Sequence, residues 1–355
     1  MNIKSEMHIL KEEIDQEMVT YLDSVIKEAQ KTDVFMASAV KYFKKTMLAG
    51  GKRIRPIMMY WGYHAAGGTN RKEIIKTSIS IELIHAFLLM HDDIIDRDDL
   101  RHGKQTIHAH YRDYYRRFFC GSDAEHFGKS IAIISGDFVY SLGNQVLFSS
   151  KFEPRTIVRA LNKLQEIVGL TCVGEVQDIY MEYGHKVTRQ AILRMYENKT
   201  ARYTFDGPLK LGAILADADD DFCKKIEKFS IPVGIAFQIR DDILGIYGDA
   251  KKTGKPVGSD IAEGKRTLLV ETALKNANKK TKKEIMSLLG DQKIDDKGVK
   301  RFQHIMEETG ALADVEKYMQ ELIADGKNAL AKMNISDDAR NFLSALVTYL
   351  SDREK

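Results

Sequence analysis

The sequence predicts an all-α protein, and three observations carry that expectation. Only five prolines occur in 355 residues. Apolar residues recur at helical spacing along nearly the whole chain. Apolar residues make up 44% and charged residues 30%, the profile of a globular protein with a sizeable core. No internal repeat, low-complexity tract or linker stands out, so residues 1–355 read as a single domain. A net charge of +3 is too mild to argue for nucleic acid or a membrane surface as partner. Cys120, Cys172 and Cys223 are isolated, lack metal spacing and are expected to pack as small apolar residues in a reducing cytoplasm. The N-terminus has no signal-peptide core, and no uncharged apolar run approaches the ~20 residues of a membrane span.

The elements follow in order. Residues 8–30 place Leu10, Ile14, Met18, Leu22 and Ile26 about one turn apart, an amphipathic helix. A second helix, 33–48, runs into Gly50-Gly51-Lys52-Arg53-Ile54-Arg55-Pro56, where the glycines stop it and Pro56 suits the first turn of the next. Helix 57–66 breaks at Gly67-Gly68, and helix 71–96 ends in His91-Asp92-Asp93-Ile94-Ile95-Asp96. A polar segment to Thr106 holds Arg101 and His102, and 111–128 reads as a short helix plus loop. Helices are expected at 130–150, 154–184, 188–216 (interrupted at Gly207-Pro208) and 220–247, the last carrying Gln238-Ile239-Arg240-Asp241-Asp242. A glycine- and lysine-bearing loop, 248–265, leads to a helix from about Thr267, and lysine-rich helices fill 280–355.

Two of these helices end apolar runs in acids, which is the feature that points to chemistry. Asp92 and Asp96 lie one turn apart, ~40° from each other and ~6 Å along the axis. Carboxylates so placed repel unless a cation sits between them, and a hard divalent ion such as Mg²⁺ suits oxygen ligands of this kind. A single such block reads equally well as a solvated helix end; the second, at Asp241-Asp242, shifts the balance. Lys52, Arg55, Arg101, Lys199, Lys255 and Lys265 lie on separate basic loops and turns that could hold polyphosphates. Apolar helix walls between the blocks would house a greasy tail.

At this point the residues resemble a family. GGKRIRP at 50–56, DDIID at 92–96, KTA at 199–201, FQIRDD at 237–242 and GKPVGSD at 254–260 occur in the order found in the trans-isoprenyl diphosphate synthases. The resemblance implies an isoprenoid synthase-type helical bundle around a deep central cavity, usually a homodimer, that joins isopentenyl diphosphate to an allylic diphosphate. It implies that Asp92 and Asp96 bind two Mg²⁺ ions and Asp241 a third. Lys199, Lys255 and Arg101, with Lys265 joining them, would hold the allylic diphosphate; Lys52, Arg55 and His85 would hold isopentenyl diphosphate. Thr200 and Gln238 would face the allylic cation, with Asp178 and Asp242 as supporting acids.

Three departures stand out. Where the family has a second arginine the chain has His102, a weaker or pH-dependent grip. Gln105 stands where proline is common, and the second block, DDILG, ends in Gly245 instead of an acid. Phe87 and Leu88, five and four positions before Asp92, match the pattern that accompanies a C20 product, geranylgeranyl diphosphate. Farnesyl or longer synthases remain alternatives. A class I terpene cyclase would carry an Asn/Asp–Ser/Thr–Glu pattern in the second block, and a non-catalytic subunit of a heteromeric prenyltransferase can lose the acids that this chain keeps.

Overall fold

A computed structural model describes residues 3–119, 121–184, 187–248 and 258–351. The chain divides into two compact units, residues 1–161 with 211–217, and residues 162–210 with 218–355.

The first unit begins with α1 (Ile3–Thr32), which buries Met7, Leu10, Ile14, Met18, Leu22 and Ile26 on one stripe. Asp33 then caps α2 (Val34–Met47), its carboxylate accepting from the Met36 N–H. After the glycine turn come α3 (Ile54–Ala65) and α4 (Arg71–Ile95), the latter capped by Asn70. Next is a small antiparallel hairpin, β1 (Leu100–Arg101) and β2 (Lys104–Gln105). Strands of two residues are too short to leave a periodic pattern in the sequence. Their turn is made by His102 and Gly103, at φ 51° and 71°, the paired positive φ of a tight hairpin turn. Histidine is among the side chains that tolerate this region best. The rest of the unit is built on α5 (Ile107–Phe118) and α6 (Ala124–Phe148), and α6 packs along α4 and α5. Where a short helix plus loop was expected at 111–128, one helix ends at Phe118 and the next begins at Ala124. By length and composition α4 and α6 could each cross a bilayer, although charged residues interrupt both. Here they lie against each other within the unit.

The second unit takes most of α7 (Pro154–Tyr183), then α8 (Arg189–Tyr196), a π-helical segment (Glu197–Asp206) and the first turn of α9 (Gly207–Leu215), whose residues from Leu211 onward belong to the first unit. The interruption expected at Gly207-Pro208 is not a break: helical backbone runs straight through, and only the bonding changes from π to α at Gly207. Next come α10 (Asp220–Tyr247), α11 (Ser259–Glu263), α12 (Leu268–Asn276), α13 (Lys279–Leu288), α14 (Asp296–Glu308), α15 (Ala311–Ala331) and α16 (Asp337–Ser351). The centre of the unit is α10, packed on α15 and the π segment. Cys223 is half-buried, but Cys172 is exposed on α7, against the expectation that it packs inside. Cys120 lies outside the described residues.

Candidate functional site

In the first unit, the C-terminal half of α4 forms one wall of a cavity closed by the turn at 50–53 and the hairpin. Glu82, His85, Ala86, Leu89, Met90 and Asp93 line it from α4; Arg53, Arg101 and His102 line it from the other side. The spacing follows the helix, because residues three and four apart share a face. Of the expected substrate-binding residues, His85, Arg101 and His102 therefore meet at one cavity. Lys52 is exposed and Arg55 half-buried on the turn and the start of α3.

Electrostatics differ from what a list of charges suggests. Burial, with Arg55, Arg101, Arg53 and His102 adding to it, holds the His85 imidazole well below its ordinary value. It is neutral at pH 7, able to donate one hydrogen bond without a charge. Burial and the neighbouring Arg101 and Arg53 also lower His102. Asp93, to which sequence reasoning gave no role, is 4% exposed and accepts from Arg101 Nε at 2.5 Å. Burial pushes its carboxyl up to about 6 although Arg101 opposes the shift. Arg101 Nη2 also reaches Asp92 at 3.4 Å and Asp98 at 3.8 Å. Asp92 and Asp96 are half-buried at the end of α4, where the Asp96 N–H donates to the Asp92 carbonyl at 2.8 Å.

In the second unit, Lys199 and Thr200 lie in the π segment and Gln238 and Asp241 near the end of α10. Lys199 Nζ sits 2.8 Å from Glu175 and 2.7 Å from Asp178, adjacent turns of α7. Gly174 makes this approach possible: a Cβ there would come within 2.7 Å of the Lys199 Cα. Thr200 Oγ donates to Gln238 Oε1 at 2.5 Å, and Gln238 Nε2 donates to Asp242 Oδ1 at 2.8 Å. The buried Tyr196 hydroxyl donates to the other Asp242 oxygen and accepts from the Leu268 N–H at 2.9 Å. Burial, reinforced by Asp260, pushes the Asp242 carboxyl up to about 8, while the Tyr196 and Gln238 hydrogen bonds pull the other way. This chain of bonds fixes which end of the Gln238 amide faces Thr200. It also uses the Thr200 hydrogen, so that oxygen is left only its acceptor capacity. Lys265 pairs with Asp260 at 3.3 Å and Glu263 at 2.7 Å. The Asp260 carboxylate occupies the space a Cβ on Gly245 would need, which is the steric reason the second block ends in glycine. Lys255 lies outside the described residues.

Sequence reasoning missed Arg53, Glu82, Glu175 and Tyr196. Arg53 stands between Lys52 and Arg55 with nothing in the sequence to set it apart, and an isolated Tyr or Glu in a helix carries no motif. Among the described residues, no three His, Cys, Asp or Glu side chains converge as a metal cage. Mg²⁺ is commonly held by one or two carboxylates completed by waters and substrate phosphates, and the half-buried carboxylates of Asp92, Asp96 and Asp241 have that chemistry.

A polyprenyl synthetase family model matches residues 37–307. A short chain isoprenyl diphosphate synthase of Methanocaldococcus jannaschii is 32% identical over 302 residues, 83% of this chain and 81% of the relative. A geranylfarnesyl diphosphate synthase of Aeropyrum pernix is 32% identical over 312 residues, 86% of this chain and 92% of the relative. The crystal structure of a geranylgeranyl pyrophosphate synthase from Corynebacterium glutamicum, complexed with isoprenyl diphosphate and magnesium, superposes with a TM-score of 0.91 at 30% identity. The match covers 97% of this chain and 99% of that one.

Proposed function

From the premise that the chain belongs to the polyprenyl synthetase family and is a short-chain isoprenyl diphosphate synthase, a prenyltransferase, we propose that it makes the C20 product, geranylgeranyl diphosphate. The observation that carries the chain length is the meeting of α4 with α6. The Phe87 ring lies 5.1 Å from Tyr140 and 4.9 Å from His91, an aromatic wall one to two turns below Asp92. A tail growing along α4 would stop there. Leu88, half-buried and nearly in line with Asp92, leaves room that an aromatic would fill. Leu88→Phe is expected to shift product toward C15, and Phe87→Ala or Tyr140→Ala to lengthen it, as read by chromatography of dephosphorylated products. Wild-type chain length from all three would move the floor elsewhere.

In this reading Lys199, Arg101, Lys255 and Lys265 grip the allylic diphosphate, exchanging their present carboxylate partners for phosphate oxygens where the structure shows such partners. Lys52, Arg55, neutral His85 and His102 hold isopentenyl diphosphate. Asp92, Asp96 and Asp241 would hold Mg²⁺, three ions in the full complex, and the metal would supply positive charge for the leaving diphosphate. The allylic C–O bond breaks with its electron pair going to diphosphate. The isopentenyl double bond then attacks the cation, and a proton passes to the departing diphosphate. Thr200 presents its lone pairs to the electron-deficient carbon, and the apolar walls keep water from quenching it. Incubating the purified protein with radiolabelled isopentenyl diphosphate, farnesyl diphosphate and Mg²⁺ tests the proposal: a C20 product is expected, and no condensation would refute it. Ile133, Ile134 and Phe148, exposed on α6, favour a homodimer through that helix, measurable by sedimentation. Cys172, an exposed free thiol, suits the cytoplasm.

His102 gives a separate expectation. Its imidazole titrates below the ordinary histidine value, so at pH 8 it contributes no charge to the grip. His102→Arg supplies a permanent one and is expected to lower the KM for isopentenyl diphosphate about fivefold at that pH. The gap closes as pH falls through the imidazole's lowered pKa. A wild-type KM for His102→Arg at pH 8 would remove His102 from the site.

A further inference from the structure

We propose that Arg53 is a positioning residue for the turn that carries Lys52 and Arg55, and that α1 acts on isopentenyl diphosphate binding through it. The inference rests on the reading of that turn as the isopentenyl diphosphate grip. In sequence the three cations look alike, yet the structure sets Arg53 apart. Its side chain is 3% exposed, whereas Lys52 is exposed and Arg55 half-buried. Nε donates to Asp15 Oδ1 of α1 at 2.7 Å, Nη1 to Glu82 Oε1 of α4 at 2.9 Å, and Nη2 to the Met47 carbonyl at the end of α2 at 2.7 Å. Burial works against the charge, but Glu82 and Asp15 outweigh it and the guanidinium is held more firmly protonated than usual. Arginine's planar fork can satisfy three acceptors in fixed directions, which a lysine ammonium on its flexible stem does not do.

The turn is wrapped around this side chain. Gly51, at φ +99°, lies over it: a Cβ there would sit 2.6 Å from Arg53 Nη1. A Cβ on Gly50 would sit 2.8 Å from the His102 ring. Arg53 itself is left-handed, φ 52° and ψ 37°, a conformation non-glycine residues adopt only where surrounding bonds hold them. The direction in which Lys52 and Arg55 leave the turn is therefore set by the anchors of Arg53. Glu82 stands one turn before His85 on α4, so the same anchor also fixes the turn against that residue. Arg53 is not itself a phosphate ligand, because leaving Glu82, whose side chain is 6% exposed, would strand a buried carboxylate.

Steady-state kinetics of the full chain test this. Asp15→Ala is expected to raise the KM for isopentenyl diphosphate about tenfold, with kcat at saturation within about twofold and the allylic KM unchanged. Asp15→Asn keeps an acceptor for Nε and is expected to recover most of the wild-type KM. Arg53→Lys keeps the charge but loses the fork, and is expected to match Asp15→Ala. A wild-type KM for Arg53→Lys would show that charge alone matters and would overturn the proposal, as would an unchanged KM in folded Asp15→Ala. Circular dichroism and thermal melts establish folding; should Asp15→Ala not fold, Arg53→Lys against Asp15→Asn decides. If the wild-type protein consumes no isopentenyl diphosphate, the functional reading fails first, and calorimetric titration of isopentenyl diphosphate into the same variants still reads the positioning role.

Discussion

Asp92→Ala and Asp241→Ala are each expected to lower turnover by about three orders of magnitude or more while the helical content stays at the wild-type level. Each removes a hard oxygen ligand from an ion whose charge the leaving diphosphate needs. The fold is expected to survive for a reason visible in the structure. Arg101 keeps its 2.5 Å bond to Asp93 when Asp92 is truncated, so the hairpin stays attached to α4 and no buried cation is stranded. Turnover in the presence of EDTA and circular dichroism of both variants make the measurement. A folded variant with normal turnover, or wild-type activity that survives EDTA, would remove metal from the mechanism.

Gly174→Ala is the second large effect, and it needs no change at any reacting group. The added methyl would lie 2.7 Å from the Lys199 Cα and 2.8 Å from its Cβ, inside the contact distance of backbone atoms that have nowhere to yield. Either α7 or the π segment must move, which is expected to cost about 3 kcal/mol of stability. The same shift displaces Lys199 and Thr200, and a displacement of about 1 Å is enough to lower kcat roughly 100-fold. Val176→Ala, on an exposed position of the same helix, serves as the control and is expected to change neither quantity. Thermal melts and kcat measured well below the transition separate the two effects. Wild-type values for both would mean that α7 and the π segment are not held in contact in solution.

Much of this was legible in the sequence, because helices announce themselves by period and metal-binding acids by spacing. The stripe Leu10, Ile14, Met18, Leu22 and Ile26 is buried as its spacing requires. Asp92 and Asp96 sit at a helix end as the broken apolar run implied. What was not legible depends on contacts between distant residues. Lys52, Arg53 and Arg55 are equivalent in a linear reading, and only the approach of Asp15 and Glu82 makes Arg53 structural. Tyr196 is 46 residues from Asp242, with no pattern linking them. The π segment escaped notice because its residues, Glu197 to Asp206, have unremarkable helical propensities; the altered bonding comes from packing. The hairpin was too short to show an alternating pattern.

The π segment has a consequence for how this chain can change over time. Wider helical winding accommodates a residue more than an α-helix would over the same run. Deleting one residue between Glu197 and Asp206 would remove that surplus and let the backbone relax to α with both flanks kept in register, whereas inserting one into the flanking α-helix would turn one flank by about 100° against the other. Both flanks are pinned: Tyr196 to Asp242 and Leu268, and Asp206 to Ser230 at 2.9 Å and Lys210 at 2.9 Å. Substitutions inside the segment, and the loss of its one surplus residue, can be absorbed, but an added residue cannot. Functional homologues are therefore expected to align through 196–206 with at most a one-residue gap and no insertion, while insertions collect in exposed connections such as that between α13 and α14.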